Sequence, residues 1–155
     1  MINQGIILIL DNIRSRENVG SIFRTADAVG VSKVYLCGIT PRPPHPKITK
    51  SALGSDEFVK WGYVKQIWRL IDILKKDKYK IVAIEQSPTS KNIFTFKTKF
   101  PIAVILGNEV SGISKSILRR CDYVLEIPMR GKKESLNVSV SAGVALYQLI
   151  KKWNE

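Results

Sequence analysis

The sequence predicts an α/β domain, an open parallel sheet covered by helices. The apolar runs Ile6–Leu10 and Ile102–Leu106 are unbroken, as in strands buried on both faces of a parallel sheet. Between the runs lie stretches with apolar residues three or four apart, one stripe of a helix. Strand–helix alternation of this kind builds such a sheet. The 155 residues, 45% of them hydrophobic, are enough for one domain with a real core. No stretch is long and uncharged enough to span a bilayer.

Ile6–Leu10 reads as the first strand. It runs into Asp11 and Arg14 and lacks a basic start and a small-residue cleavage site, so it is not read as a signal peptide. Val19, Ile22, Phe23, Ala26 and Val29 then form a helical stripe, with Asn18 as its cap and Gly30 as its terminator. Val34–Cys37 is the second strand. Thr40–Lys47 holds four prolines, which forbid a helix there. Val64, Ile67, Trp68, Ile71 and Leu74 mark a further helix, and Ile81–Ile84, Ile102–Leu106 and Tyr123–Ile127 bring the strands to five. The last stripe, Val138, Ala142, Ala145, Leu149 and Trp153, belongs to a helix opened by Ser135, Leu136 and Asn137. Ser135 or Asn137 caps its free amides. The positive terminus lies beside Arg130, Lys132 and Lys133 and attracts carboxylates or phosphates. With no repeat and no linker, residues 1–155 are expected to form a single domain.

Two cysteines, Cys37 and Cys121, and one histidine, His45, support neither a disulfide framework, nor a metal cluster, nor a Ser-His-Asp triad. No metal is expected, and the cytoplasm is the expected location. Gly107–Gly112 follows a buried strand as a phosphate-binding loop does, but Ile113 stands where such a loop needs lysine. A dinucleotide Gly-x-Gly-x-x-Gly is absent. Twenty-five Lys and Arg against thirteen Asp and Glu leave a net charge of +12, which points to a polyanionic partner, RNA or DNA. From Lys33 to Lys80 eleven basic residues face four acidic ones. Arg42, Lys47 and Lys50, around the proline-rich loop, are the candidate RNA contacts. Ligands of open parallel sheets bind beyond the carboxyl ends of the strands, where Glu85–Pro88, Gly107–Gly112 and Pro128–Asn137 would lie.

Three segments, in order and in spacing, resemble the motifs of the SPOUT RNA methyltransferases, in particular the TrmH/SpoU branch of ribose 2′-O-methyltransferases. They are Asn18-Val-Gly-Ser-Ile-Phe-Arg24, Gly107-Asn-Glu-Val-Ser-Gly112, and the run from Ile127 through Ser135-Leu136-Asn137. The resemblance spans about Ile7 to about Ile150. It implies an S-adenosylmethionine pocket made from the three C-terminal loops. Gly107 would be its close-approach residue, Ile127 and Leu136 would frame the adenine, and Glu85 is a less specific cofactor-binding match. It further implies that Ser135 and Asn137 order the loop around cofactor and target, and that Glu109 orients Arg24 or the loop. Arg24 is implicated in activating the ribose 2′-hydroxyl, with Asn18 helping to place it. A guanidinium stays protonated below about pH 12, so milder roles for Arg24 are a bidentate grip on the adjacent phosphate or an offset of developing charge. A C-terminal trefoil knot and a homodimer are likewise implied. Many relatives carry an RNA-binding domain ahead of the catalytic one; with Ile6–Leu10 read as the first core strand, none is expected within residues 1–155.

The expected activity is therefore S-adenosylmethionine-dependent ribose 2′-O-methylation of RNA, with tRNA placed slightly before rRNA. A non-catalytic RNA-binding or assembly module that keeps the fold is the alternative. A flavodoxin-like small-ligand domain explains the sheet but not the charge.

Overall fold

The computed structural model describes residues 5–153. Seven strands, β1 (Ile6–Asp11), β2 (Lys33–Cys37), β3 (Trp61–Val64), β4 (Lys80–Ile84), β5 (Lys91–Asn92), β6 (Ile102–Leu106) and β7 (Tyr123–Glu126), form one sheet. Its order is β3-β2-β1-β6-β4-β7-β5, and every pairing is parallel. The helices are α1 (Arg16–Val29), α2 (Pro46–Ala52), α3 (Ser55–Phe58), α4 (Ile67–Lys76), α5 (Lys115–Arg120) and α6 (Val138–Trp153). No helix among the described residues is long and apolar enough to cross a membrane.

The unbroken apolar strands do have two buried faces. Ile6, Leu8 and Leu10 of β1 join a core with Val19, Ile22 and Phe23 of α1 and Ala142, Leu146 and Leu149 of α6. Ile7 and Ile9 turn to the opposite core, with Ile67, Leu70, Ile71 and Leu74 of α4 and Ile117 of α5. Period-2 alternation within β1 thus distributes one run between two helix layers. The chain leaves β1 toward β3 on one side and returns to build the other, so the sheet changes winding direction between β1 and β6. Crevices at such a reversal hold ligands in open α/β sheets.

Four local readings need correction. β3 and β5 were not anticipated: β3 is a four-residue, part-exposed edge strand containing Gly62, and β5 is two polar residues. Gly62 interrupts the apolar residues of β3, and β5 has none. Val64 pairs with Cys37 in the sheet, so α4 starts later, and Leu70 rather than Trp68 completes its buried stripe, Trp68 being 39% exposed. The proline-rich segment ends inside a helix. His45 caps α2 and Pro46 occupies its first turn, where a missing amide hydrogen costs nothing. Finally, Ser15 caps α1: its hydroxyl accepts from the Asn18 amide at 3.1 Å, placing Asn18 inside the helix. Gly30 ends α1 as expected, in the left-handed region at φ 84°. Of the C-terminal stripe, Val138, Ala142, Ala145 and Leu149 are buried, while the Trp153 side chain lies outside the described residues.

Candidate active site

Loops leaving β1, β4, β6 and β7 at their carboxyl ends surround one cavity of about 1600 Å³. All three loops anticipated from the sequence line it, and so do Ser15 and Asn18 from the start of α1. Its size exceeds the roughly 300–1,000 Å³ of a single small-molecule site, leaving room for two ligands side by side.

The β6 loop is built by Asn108. Its Oδ1 accepts from the amides of Val110 and Ser111, both at 2.9 Å, and its Nδ2 donates to the Asn12 carbonyl at 2.8 Å. Gly107 is needed for this loop's own closure. A Cβ there would lie 2.5 Å from Ile113 Cγ1 and 2.8 Å from the Gly112 carbonyl carbon. The expected ligand approach is therefore not what first demands glycine. Gly112 sits at φ 68°, and a Cβ on it would collide with Glu85. Glu85 in turn accepts from the amides of Ile113 (2.9 Å) and Gln86 (3.0 Å). Its carboxylate lines the cavity while fastening the β4 loop to the β6 loop.

Glu109 ties the β6 loop to the entry of α1. Its carboxylate accepts from the amides of Arg14 (2.9 Å) and Ser15 (3.0 Å) and from Asn18 Nδ2 (3.4 Å). Partial burial pushes the Glu109 carboxyl up, but the Arg14 and Ser15 amides outweigh it and hold it below the ordinary value. Asn137 closes the connection from the other side: its Nδ2 donates to Asn18 Oδ1 at 3.3 Å. Its Oδ1 caps α6 by accepting from the Ser139 amide at 2.8 Å. An Asn137–Asn18–Glu109 chain thus joins residues 119 positions apart. Ser135, Leu136 and Ile127 all line the cavity. Ser135 makes no capping bond among the described residues; Asn137 is the cap. Gln86 Nε2 donates to the Glu134 carbonyl, tying the 128–137 loop to the loop after β4.

Arg24 is not brought to this cavity. It is exposed on α1, is absent from the cavity lining, and makes no hydrogen bond to Glu109, whose partners are those above. Arg14, Lys115 and Arg119 are instead the cations that line it. They escaped sequence reasoning because each stands beside, not within, a recognisable motif. Arg42 lies apart, over the Tyr63 ring at 4.2 Å from its centroid. Lys47 approaches exposed Glu17 at 3.9 Å, and Lys50 is exposed on α2. The cysteines offer no nucleophile: burial pushes both thiols up to about 12.

A model of the SpoU rRNA Methylase family matches residues 5–147. The chain belongs to the SpoU methylase family. It is 35% identical over 151 residues to the 23S rRNA (guanosine-2′-O-)-methyltransferase RlmB of Coxiella burnetii (strain RSA 493 / Nine Mile phase I), covering 93% of this chain and 57% of that one. Among solved structures, the SpoU methyltransferase AviRb of Streptomyces viridochromogenes in complex with AdoMet superposes with a TM-score of 0.90 at 25% identity, covering 100% of this chain and 60% of that chain. The A. aeolicus TrmH/SpoU tRNA modifying enzyme gives 0.88 at 30% identity, covering 98% and 77%. This SpoU-family chain therefore spans less than two thirds of RlmB and of AviRb. In it, the anticipated family motifs are the segments that the Asn137–Asn18–Glu109 chain holds together, Arg24 excepted.

Proposed function

We propose that this SpoU-family chain catalyses S-adenosylmethionine-dependent 2′-O-methylation of RNA ribose, with tRNA placed slightly before rRNA. The observation that carries the reading is the meeting of the three ordered motifs around one cavity large enough for cofactor and target nucleotide together. The residues present fit the cofactor. Leu106, Ile127, Leu136 and Val138 give apolar walls for the adenine, and the loop that starts at Gly107 lines the same cavity. Bound there, S-adenosylmethionine supplies an electrophilic methyl on a good leaving group. The chain's own task is to align the 2′-hydroxyl and exclude competing water. Asn18, held between Glu109 and Asn137, sets the edge of that cavity, and Arg14, Lys115 and Arg119 meet the phosphates.

The proposal includes a homodimer. Val140 and Tyr147, two turns apart on α6, are 49% and 54% exposed, an apolar face on the helix that packs beside α1. In the proposed dimer, the exposed Arg24 of one protomer would serve the cavity of the other. Arg24, itself protonated throughout, then offsets charge on the 2′-oxygen as the hydroxyl releases its proton to bulk solvent. The placement of tRNA first rests on the A. aeolicus relative, of which this chain covers the larger share. Incubation with labelled cofactor and total RNA, followed by digestion to nucleosides, tests the reaction. 2′-O-methyl nucleosides are expected; base-methylated products alone refute it. Because Arg24 lies outside the cavity, a non-catalytic RNA-binding module is the second reading. Calorimetry with S-adenosylmethionine separates the two, since absence of binding by folded protein supports the module.

A further inference from the structure

A second, smaller cleft opens at the same carboxyl end of the sheet. It measures about 420 Å³ and lies between the start of α1, the β2–α2 loop and β3. Its wall is rigidly built. The buried Thr40 hydroxyl accepts from the Ile13 amide (3.0 Å) and bonds the Cys37 carbonyl (2.7 Å). Asn12 Oδ1 accepts from the Ile39 amide at 3.0 Å, and the Tyr63 hydroxyl donates to the Gly38 carbonyl at 2.8 Å. On this frame the cleft presents Arg16, Arg42, His45 and Tyr63, with Ile39 as an apolar flank that is 65% exposed.

No lining residue is acidic. The nearby carboxylate, Glu17, is turned to the Ser15 hydroxyl (3.3 Å) and Lys47 (3.9 Å). Arg42 is exposed, with its guanidinium carbon 4.2 Å from the centroid of the Tyr63 ring. His45 Nδ1 accepts from the Lys47 amide at 3.1 Å, which leaves Nε2 as the donor. A guanidinium set beside an aromatic ring, an apolar flank and two further donors of positive or neutral character match a base with its phosphate. Unpaired bases stack on arginine planes and aromatic rings while cations follow the backbone. Arg14 and Ser15 line the large cavity and Arg16 lines this one, so the two sites share one turn of chain.

We propose that this cleft, walled by Arg16, Ile39, Arg42, His45 and Tyr63, is a nucleotide subsite that holds a single-stranded RNA residue adjacent to the methylation target. The inference rests on the RNA methyltransferase reading for its substrate, but its test does not depend on turnover. His45 is the chain's only histidine, so its imidazole signal in an NMR spectrum reports on the cleft unambiguously. At constant pH, a short single-stranded RNA shifts that signal, and inorganic phosphate at equal concentration shifts it far less. Arg42→Ala weakens RNA affinity about tenfold and lowers the salt slope by about 0.7. Arg42→Lys restores the slope but not the affinity, because lysine keeps the charge and loses the plane. An unmoved His45 signal overturns the subsite, whether RNA binds elsewhere or not at all. So does a phosphate effect equal to that of RNA, or an Arg42→Ala variant with wild-type affinity. Methyl transfer measured on the same samples separates the two proposals. A shifted His45 without transfer sinks the methyltransferase reading and leaves the cleft as a single-stranded RNA site, and transfer with an unmoved His45 sinks the subsite alone.

Discussion

Asp11 ends β1 and is only 7% exposed, with no hydrogen bond to its carboxyl among the described residues. Desolvation raises its pKa from 3.8 to about 6. Between those values the unfolded chain releases a proton that the folded protein keeps. Stability therefore falls as pH rises from about 4 to about 6 and remains lower above that range. Asp11→Asn keeps the shape and removes the charge. At neutral pH the variant is expected to be more stable by up to about 3 kcal/mol, and near pH 4 to match the wild type. Urea denaturation at the two pH values checks this; an equal difference at both would show that the charge is not responsible.

The site residues make a sharper division. Arg24→Ala should abolish methyl transfer and leave cofactor affinity intact, since Arg24 stands outside the cavity that the cofactor would fill. Gly107→Val should damage cofactor binding first and lose transfer through it, because its Cβ meets Ile113 and the Gly112 backbone and displaces the loop. Single-turnover rates and calorimetry on each variant read the two effects separately. An Arg24→Ala enzyme with wild-type rates would remove the arginine from the mechanism.

At the scale of elements, the caps decide where helices begin. Ser15→Ala should cost about 1 kcal/mol by leaving an orphan amide at the start of α1. Asn18→Ala should cost less in stability and more in activity, since it breaks the link from Glu109 to Asn137 without touching the cap. Asn137→Ala removes both the α6 cap and that link, so it should lose stability and cofactor affinity together. Thermal denaturation with and without cofactor ranks the three variants. The caps also show how far local sequence reaches. Gly30 and the stripe Val19–Val29 were legible because a left-handed terminator and a 3.6-residue period are local properties. Ser15 and Asn18 are both good capping residues three positions apart, and choosing between them depends on Glu109, a residue remote in sequence.

At the scale of the molecule, the exposed Val140 and Tyr147 predict the assembly. Tyr147→Asp should shift the protein toward monomer in sedimentation and lower methyl transfer in parallel with it. If transfer were unchanged in a demonstrated monomer, Arg24 would act within its own chain or not at all. The parallel sheet, its two buried faces and the three loops at its carboxyl edge were all readable from the order and period of apolar residues. Those features follow from burial, and burial writes its pattern directly into hydrophobic spacing. The edge strand β3, the polar β5 and the separation of Arg24 from Glu109 were not readable. They depend on which strand lies beside which and on where a helix face points once it packs, and contacts between residues tens of positions apart leave no periodic trace. The same holds for the second cleft: Arg16, Arg42, His45 and Tyr63 are scattered through the chain and become neighbours only when β1, β2 and β3 lie side by side.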